Sequence, residues 1–190
     1  MKKEDAISLV KPYLKTERFE HTLRVAETAV KLANMYSEPV DKVELAAIFH
    51  DYAKYFSLEY MKQVIKKGEL PQDLLDHHHE LWHGPVASII IDREFGISDT
   101  GIQSAIHYHT TGKADMSQMD MIIFTADYIE PGRSFPGVEE VREMAEVDLY
   151  RATWMALRNT IQFLVSKHVP VYPDTFYAYN DLTRRLNGGN

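Results

Sequence analysis

The chain has 190 residues, 45% of them hydrophobic, and a formal net charge of -7. This size suits one domain with a single buried core, and no linker or repeat places a boundary within residues 1–190. The negative charge argues against a nucleic-acid-binding surface, which needs clustered Lys and Arg, and the zero cysteine count excludes thiolate metal ligands and cysteine nucleophiles.

Membrane insertion is also disfavoured by the sequence. The longest strongly apolar stretches, Ala87–Ile91 and Met121–Ala126, are far shorter than the roughly 20 residues of a membrane span. An acidic pair, Glu4-Asp5, stands where a signal peptide would begin its apolar region. We therefore expect a cytoplasmic protein without a membrane partner, and the sequence leaves the oligomeric state open.

Apolar residues recur at helical spacing through most of the chain, and strict alternation over a strand length is hard to find, which predicts an all-α fold. Ser117 with Asp120 resembles a capping box before a helix that Pro131 and Gly132 close. Start and stop signals predict further helices over Glu17–Tyr36, Leu45–Tyr55 after an Asp41/Glu44 cap, Leu58–Lys67, Pro85–Phe95, Val138–Val147 and Leu149–His168, and after Asp99 and Asp174.

The dipeptide His50-Asp51 closes the apolar run Leu45–Phe49, so both side chains are expected at the buried end of a helix. A buried carboxylate without a partner costs on the order of several kcal/mol, and metal coordination removes that cost. Asp127, which follows the apolar run Met121–Ala126, is subject to the same argument. Imidazole nitrogen and carboxylate oxygen together suit Fe, Mn, Zn or Mg better than a soft metal.

Simpler interpretations remain open for these residues. Each Asp could form a buried salt bridge, for example with Arg24 or Arg133. His21 lies at the edge of the apolar stripe of its helix, where an isolated His is more often a core-boundary residue than a ligand.

His83, before a helix start, and His109, at a helix end, could bind a second metal ion or donate a proton to phosphate. His107 is two residues from His109 and should face elsewhere on a helix, so we expect a structural role for it. The run His77–His79 is expected to be solvated.

The order His21, His50-Asp51, Asp127 resembles the H…HD…D signature of the HD-domain phosphohydrolase superfamily. Three further segments, Glu80–Gly84, Ala105–Gly112 and Ala126–Arg133, resemble its bacterial YqeK-like branch of symmetrical bis(5'-nucleosyl)-tetraphosphatases. The resemblance implies a single compact HD-domain helical bundle that hydrolyses diadenosine tetraphosphate, and related dinucleoside polyphosphates, to two ADP. No Gly-Tyr-Pro motif follows the histidine run, which disfavours a cyclic-dinucleotide substrate.

The resemblance also implies roles for individual residues. It assigns a divalent metal to His21, His50, Asp51 and Asp127; the ion is taken as iron, with Mn, Mg and Zn as alternatives, and one ion or two is left open. His83 and His109 match positions that elsewhere in the superfamily bind a second metal ion and that here could contact phosphate instead.

For the reaction itself, Asp51 is the candidate to orient or deprotonate water, and His83 or His109 the candidate to protonate the leaving oxygen. Lys54, three residues after Asp51, is expected on the same helical face, where it would neutralise phosphate charge. The candidate substrate-binding residues are Arg24, Lys54, His83, His109, Thr110, Arg133 and Tyr172. Tyr172 belongs to a segment, Val171–Phe176, whose aromatic rings could stack on a base.

Three other functions are compatible with the same metal site. A phosphohydrolase of nucleoside di- or triphosphates would need a less demanding pocket. An iron-dependent oxygenase would use similar ligands, and the nearby cations Lys54, Arg24 and Arg133 argue against it. A non-catalytic nucleotide sensor would be expected to have a broken ligand set, whereas the set here is complete.

Overall fold

A computed structural model describes residues 1–188, and within that range the chain forms ten α-helices and no β-strand, which confirms the predicted all-α fold. The helices are α1 (Lys3–Val10), α2 (Thr16–Met35), α3 (Val40–Phe49), α4 (Leu58–Val64), α5 (His83–Phe95), α6 (Thr100–Tyr108), α7 (Gln118–Ile129), α8 (Val138–Ala145), α9 (Leu149–Ser166) and α10 (Pro173–Leu186). Residues 189 and 190, the end of the predicted domain, lie outside the described residues. No helix in the described range is both long and apolar enough to cross a membrane.

The centre of the bundle is formed by α2, α3, α6 and α7. Helix α2 packs against α3 and α7, α6 packs against α5 and α7, and α9 covers α7 while contacting α8 and α10. Every residue of α7 from Met119 to Ala126 is buried, which is the pattern of a helix surrounded by other helices. The chain segments that leave α3 and α7 therefore start inside the core.

Side-chain caps fix several helix starts as the sequence predicts. Ser117 accepts a hydrogen bond from the backbone N–H of Asp120, and the Asp120 carboxylate accepts one from the N–H of Ser117, which completes the capping box of α7. The Asp99 carboxylate accepts hydrogen bonds from the N–H groups of Gly101 and Ile102 at the start of α6. At the end of α5, Gly96 adopts a left-handed conformation with φ of 66°.

The helix predicted over Leu45–Tyr55 is wrong at both ends. Helix α3 begins at Val40 without a side-chain cap, so Asp41 is not its cap, and it ends at Phe49. The chain then makes consecutive turns, because Tyr52 N–H bonds to Phe49 O at 3.0 Å and Lys54 N–H bonds to Asp51 O at 2.9 Å. Asp51 and Lys54 therefore do not share a regular helical face.

Other predicted helices also differ in their bounds, and the backbone shows the reason for two of them. The segment predicted as Leu58–Lys67 leaves the α conformation after Val64, continues as a wide turn over Ile65–Glu69, and contains Gly68 at φ of 88°. The last helix begins at Pro173 rather than after Asp174, because a proline fits the first position of a helix, where its missing N–H leaves no hydrogen bond unmade.

Candidate functional site

Three buried histidines are anchored in the same way. The Nδ1 atom of each lies within hydrogen-bonding distance of the backbone carbonyl three residues earlier. The distances are 2.6 Å for His50 to Ala47 O, 2.7 Å for His83 to Glu80 O, and 2.7 Å for His109 to Ile106 O. Because a carbonyl only accepts, Nδ1 must carry the hydrogen, and in the neutral ring Nε2 faces the interior with its lone pair.

A fourth histidine, His21 on α2, is anchored by a carboxylate. Its Nδ1 lies 3.0 Å from Oε1 of Glu130, the residue that follows α7. Glu130 is buried, and it also accepts hydrogen bonds at 2.5 Å from Nε of Arg24 and at 2.6 Å from the backbone N–H of Gly132. Burial alone would raise the pKa of Glu130, but these hydrogen bonds together with that from His21 lower it to about 2.

The imidazole Nε2 atoms converge on the predicted carboxylates. His21 Nε2 lies 3.0 Å from Oδ1 of Asp127 and 3.7 Å from Oδ2 of Asp51, and His50 Nε2 lies 3.2 Å from Asp51 Oδ2. One ligand atom from each of His21, His50 and Asp127 lies within 4.8 Å of the other two. The structure thus brings all four sequence-predicted metal ligands together.

The arrangement of these nitrogen and oxygen atoms suits the binding of a cation better than hydrogen bonding among themselves. Although both are buried, the Nε2 atoms of His21 and His50 have no hydrogen-bond partner within residues 1–188. Lone pairs of imidazole facing carboxylate oxygens repel, and an unsatisfied buried polar atom is costly. A divalent metal ion between them would remove both costs, so the donor set fits one.

Both carboxylates are ionised at neutral pH. Burial alone would raise the pKa of Asp51, but His50 and His83 hold it well below its ordinary value. Burial opposes ionisation of Asp127 as well, and there the adjacent His21 imidazole, 3.0 Å away, and the charge of Arg133 outweigh it and lower the pKa. A metal ion would therefore find its two anionic ligands already deprotonated.

His83 and His109 lie on the other side of Asp51. Their Nε2 atoms are 3.0 Å apart, and that of His83 is also 3.0 Å from Asp51 Oδ1. The Thr110 hydroxyl lies 3.1 Å from His109 Nε2. Since each Nδ1 is already bonded to a carbonyl, the two facing Nε2 atoms need a proton or a cation between them.

Three arginines surround the cluster. Arg18, Arg24 and Arg133 line a cavity of about 210 Å³ together with His21. Arg133 donates from Nη2 to Asp127 Oδ1 at 2.6 Å and from Nε to the Asp127 carbonyl at 3.0 Å. A second cavity, of about 230 Å³, is lined by His109, Thr110, Asp127 and Arg133 among others, so Arg133 stands between the two.

Arg18 and Glu130 are functional candidates that the sequence analysis missed. Arg18 donates from Nη1 to Asp51 Oδ2 at 2.9 Å. It precedes His21 by three residues, the same helical spacing that singled out Arg24, so the signal was present in the sequence. Glu130 contacts His21 across the fold and has no comparable local signal.

Two predicted substrate-binding residues lie elsewhere. Lys54 forms an ion pair with Glu80 at 2.6 Å. Tyr172 is buried, donates to Asp73 Oδ1 at 3.3 Å, and packs its ring edge-on against His77. Neither residue lines the two cavities beside the cluster.

The all-α fold and the His and Asp cluster are those of an HD-domain protein. The HD domain model matches residues 18–132, and the chain belongs to this family. Relatives named "Bis(5'-nucleosyl)-tetraphosphatase, symmetrical" are 48% identical in Bacillus subtilis, over 95% of this chain and 97% of the relative, and 47% identical in Halalkalibacterium halodurans, over 96% and 97%. These relatives confirm that the chain belongs to the symmetrical tetraphosphatase branch that its sequence motifs resemble.

A solved structure has the same fold. It comes from Clostridium acetobutylicum and is described as a predicted HD superfamily hydrolase involved in NAD metabolism. It superimposes with a TM-score of 0.91 at 34% sequence identity, over 97% of this chain and 98% of the other.

Proposed function

We propose that this protein hydrolyses diadenosine tetraphosphate, and related dinucleoside polyphosphates, symmetrically to two ADP. The observation that carries the proposal is the convergence of unpartnered imidazole nitrogens and ionised carboxylates beside three arginines. The relatives named for this activity support it, because their similarity extends over nearly the whole chain. A metal centre next to cationic side chains suits an anionic phosphate substrate.

His21, His50, Asp51 and Asp127 would hold the divalent ion. When bound, such an ion polarises a phosphoryl oxygen and lowers the pKa of a water molecule. We propose iron, because two imidazoles with two carboxylates match the ligand preferences of non-haem iron, as the family resemblance also implies; Mn, Zn and Mg are the alternatives for metal analysis to decide.

We assign to Asp51 the role of positioning the attacking water. Its carboxylate is ionised, and it lies between the His21 and His50 pair on one side and His83 on the other. In this position it orients one of the water's lone pairs toward phosphorus, accepts the water's proton as the oxygen–phosphorus bond forms, and returns it to His83 Nε2, 3.0 Å from Oδ1. The catalytic role of Asp51 is thus to position the nucleophile as well as to bind metal.

We assign to His83 the role of protonating the leaving group. Its Nδ1 is anchored on the Glu80 carbonyl, so Nε2 is the atom that can give a proton to the departing ADP oxygen. Asp51 Oδ1, 3.0 Å away, stabilises that proton before transfer. His109 is less suited to donate, because burial and the charges of His83 and His50 lower its pKa well below the ordinary value. Its Nε2 would instead accept a hydrogen bond from His83 Nε2, 3.0 Å away, while the Thr110 hydroxyl beside it donates to phosphate.

Arg24 and Arg133 would neutralise the tetraphosphate, since both line the cavity beside His21. Arg18, which lines the same cavity, is added to them. A role for Lys54 requires release from its ion pair with Glu80.

The test is anaerobic purification with metal analysis, followed by product analysis on diadenosine tetraphosphate. We expect two ADP per substrate from the wild type and none from Asp127→Ala, which lacks a ligand. AMP plus ATP would contradict symmetrical cleavage. Phosphate release from ADP or ATP alone would favour the mononucleotide phosphohydrolase, and oxygen consumption would favour the oxygenase.

A further inference from the structure

A large cavity lies next to the candidate active site and is not used by the chemistry above. It has a volume of about 750 Å³ and lies between the end of α7, the loop at Phe135–Gly137, and α9. Three of the residues that line it, Tyr128, Phe135 and Thr160, also line the smaller cavity beside His109 and Asp127. The two cavities are therefore direct neighbours.

The large cavity is lined by partly exposed aromatic rings. Phe135 is 37% exposed and Phe163 is 60% exposed, and both face the cavity. Tyr128 meets Phe135 edge-on, with ring centroids 5.0 Å apart. Rings held in this way offer flat apolar faces of the kind on which nucleobases stack.

A polar group is fixed among these rings. Asn159 accepts hydrogen bonds from Nε and Nη2 of Arg158, at 3.2 Å and 3.0 Å, and its Nδ2 donates to the Tyr128 hydroxyl at 3.3 Å. Arg158 thereby sets which way the amide points, and Nδ2 has a second hydrogen for an acceptor on a ligand. Gly137 leaves the space beside Asn159 Nδ2 open, because a Cβ at residue 137 would lie only 3.0 Å from that atom.

We propose that this cavity binds one nucleoside of the dinucleotide substrate, with the base against Phe163 and Phe135 and its edge at Asn159. The inference rests on the proposed function, because phosphates at His109 and Arg133 would direct the attached nucleoside through the shared walls. The volume is ample, since pockets for ligands of this size typically measure about 300–1,000 Å³. A nucleoside uses both the apolar faces and the amide, whereas a purely apolar partner would leave the second hydrogen of Asn159 Nδ2 without an acceptor.

The test compares a ligand that has a nucleoside with one that lacks it. Metal-loaded wild type, Phe163→Ser and Asn159→Ala are titrated calorimetrically with ADP and with pyrophosphate. The matched control is Phe176→Ser on α10, whose ring is 43% exposed and is not part of the cavity. Phe176 also belongs to the segment that the sequence suggested for base stacking.

We expect the Kd for ADP to rise about five- to hundredfold in the Phe163 and Asn159 variants, with the Kd for pyrophosphate unchanged and the control at wild-type values. Circular dichroism establishes that each variant is folded. Unchanged ADP affinity in both variants, equal losses for ADP and pyrophosphate, or a loss confined to the Phe176 control would overturn the inference. If the wild type makes no ADP from diadenosine tetraphosphate, the proposed function fails, while the titrations still decide whether the cavity holds a nucleoside.

Discussion

His21 and Glu130, 109 residues apart in sequence, are joined by a contact of 3.0 Å between Nδ1 and Oε1. The contact connects α2 to the residue after α7, and the same carboxylate accepts a hydrogen bond from Arg24 Nε. It fixes the imidazole tautomer and ring orientation, so that Nε2 faces the other candidate metal ligands, Asp51 and Asp127. Groups that hydrogen-bond to a metal-ligating histidine commonly affect how tightly the metal ion is bound.

Replacing Glu130 with Gln should weaken metal binding by about 10- to 100-fold, the usual cost of losing a partner behind a metal ligand. In the amide, an NH₂ group replaces one of the two carboxylate oxygens, so either His21 Nδ1 or the pair of donors Arg24 Nε and Gly132 N–H loses its acceptor. Affinity is measured by competition with a chelator. Glu146→Gln, in a surface ion pair with Lys31, is the control and should bind metal like the wild type. Equal affinities in all three proteins would show that Glu130 has only a structural role.

Removing the metal should lower stability in a way that depends on Asp127. At a free metal concentration of about 100 times Kd, binding adds about 2.7 kcal/mol to the free energy of unfolding. We expect thermal melts of the wild type to shift downward on chelation, and those of Asp127→Ala not to shift. Asp41→Asn, at an exposed position, should keep the full shift. A metal-dependent shift retained in Asp127→Ala would exclude Asp127 as a ligand.

The sequence predicted the helical class because apolar periodicity is a local property, and it located helix starts where caps such as Ser117 and Asp99 act within three residues. It misplaced the end of α3 because Tyr52 and Ala53 are as buried as helix residues. Their apolar pattern continues while the backbone changes to consecutive turns, and a pattern of burial does not distinguish the two conformations.

The candidate ligands could be found from sequence because His50, Asp51 and Asp127 each end an apolar run, where an ionisable group needs an explanation. Glu130 could not be found in this way. Its importance comes from contacts with His21 and Arg24, more than 100 residues earlier, which depend on how α2 packs against α7. Lys54 was expected near phosphate only because a continuous helix was assumed.

Asp51→Asn should reduce turnover of diadenosine tetraphosphate by about 10²- to 10⁴-fold, the usual contribution of a positioned acid or base. The amide keeps the shape of the side chain but lacks the charge that faces His50 and His83. Turnover is measured by ADP release, with metal content determined on the same sample. A variant that kept both its metal and full turnover would refute the assigned role.

Arg133→Lys should raise KM about tenfold or more, whereas Lys54→Gln should have a much smaller effect. The Arg133 guanidinium holds Asp127 with two hydrogen bonds while it lines both cavities, and a lysine cannot reproduce that geometry. Lys54 is engaged by Glu80 outside these cavities. Steady-state kinetics on diadenosine tetraphosphate measure both variants. A larger KM increase for Lys54→Gln would mean that Lys54 leaves Glu80 and binds phosphate.

His107 on α6 should make stability fall on mild acidification. Burial, with a contribution from the charge of Lys113, lowers the pKa of this half-buried imidazole to about 4, compared with about 6.5 in an unfolded chain. The contribution of neutral His107 is therefore fully present above pH of about 6.5 and is lost progressively as the pH falls toward 4, because only the unfolded chain takes up the proton in that window.

The measurement for His107 is urea unfolding of the wild type and His107→Gln at several pH values between neutral and about 4. Gln keeps polar contact with Ser88, which lies 3.4 Å from His107 Nδ1, but does not titrate. The variant's free energy of unfolding should fall less steeply with decreasing pH than that of the wild type. His78→Gln, at an exposed position, should follow the wild type. Parallel curves for wild type and His107→Gln would show that His107 is not held neutral by the fold.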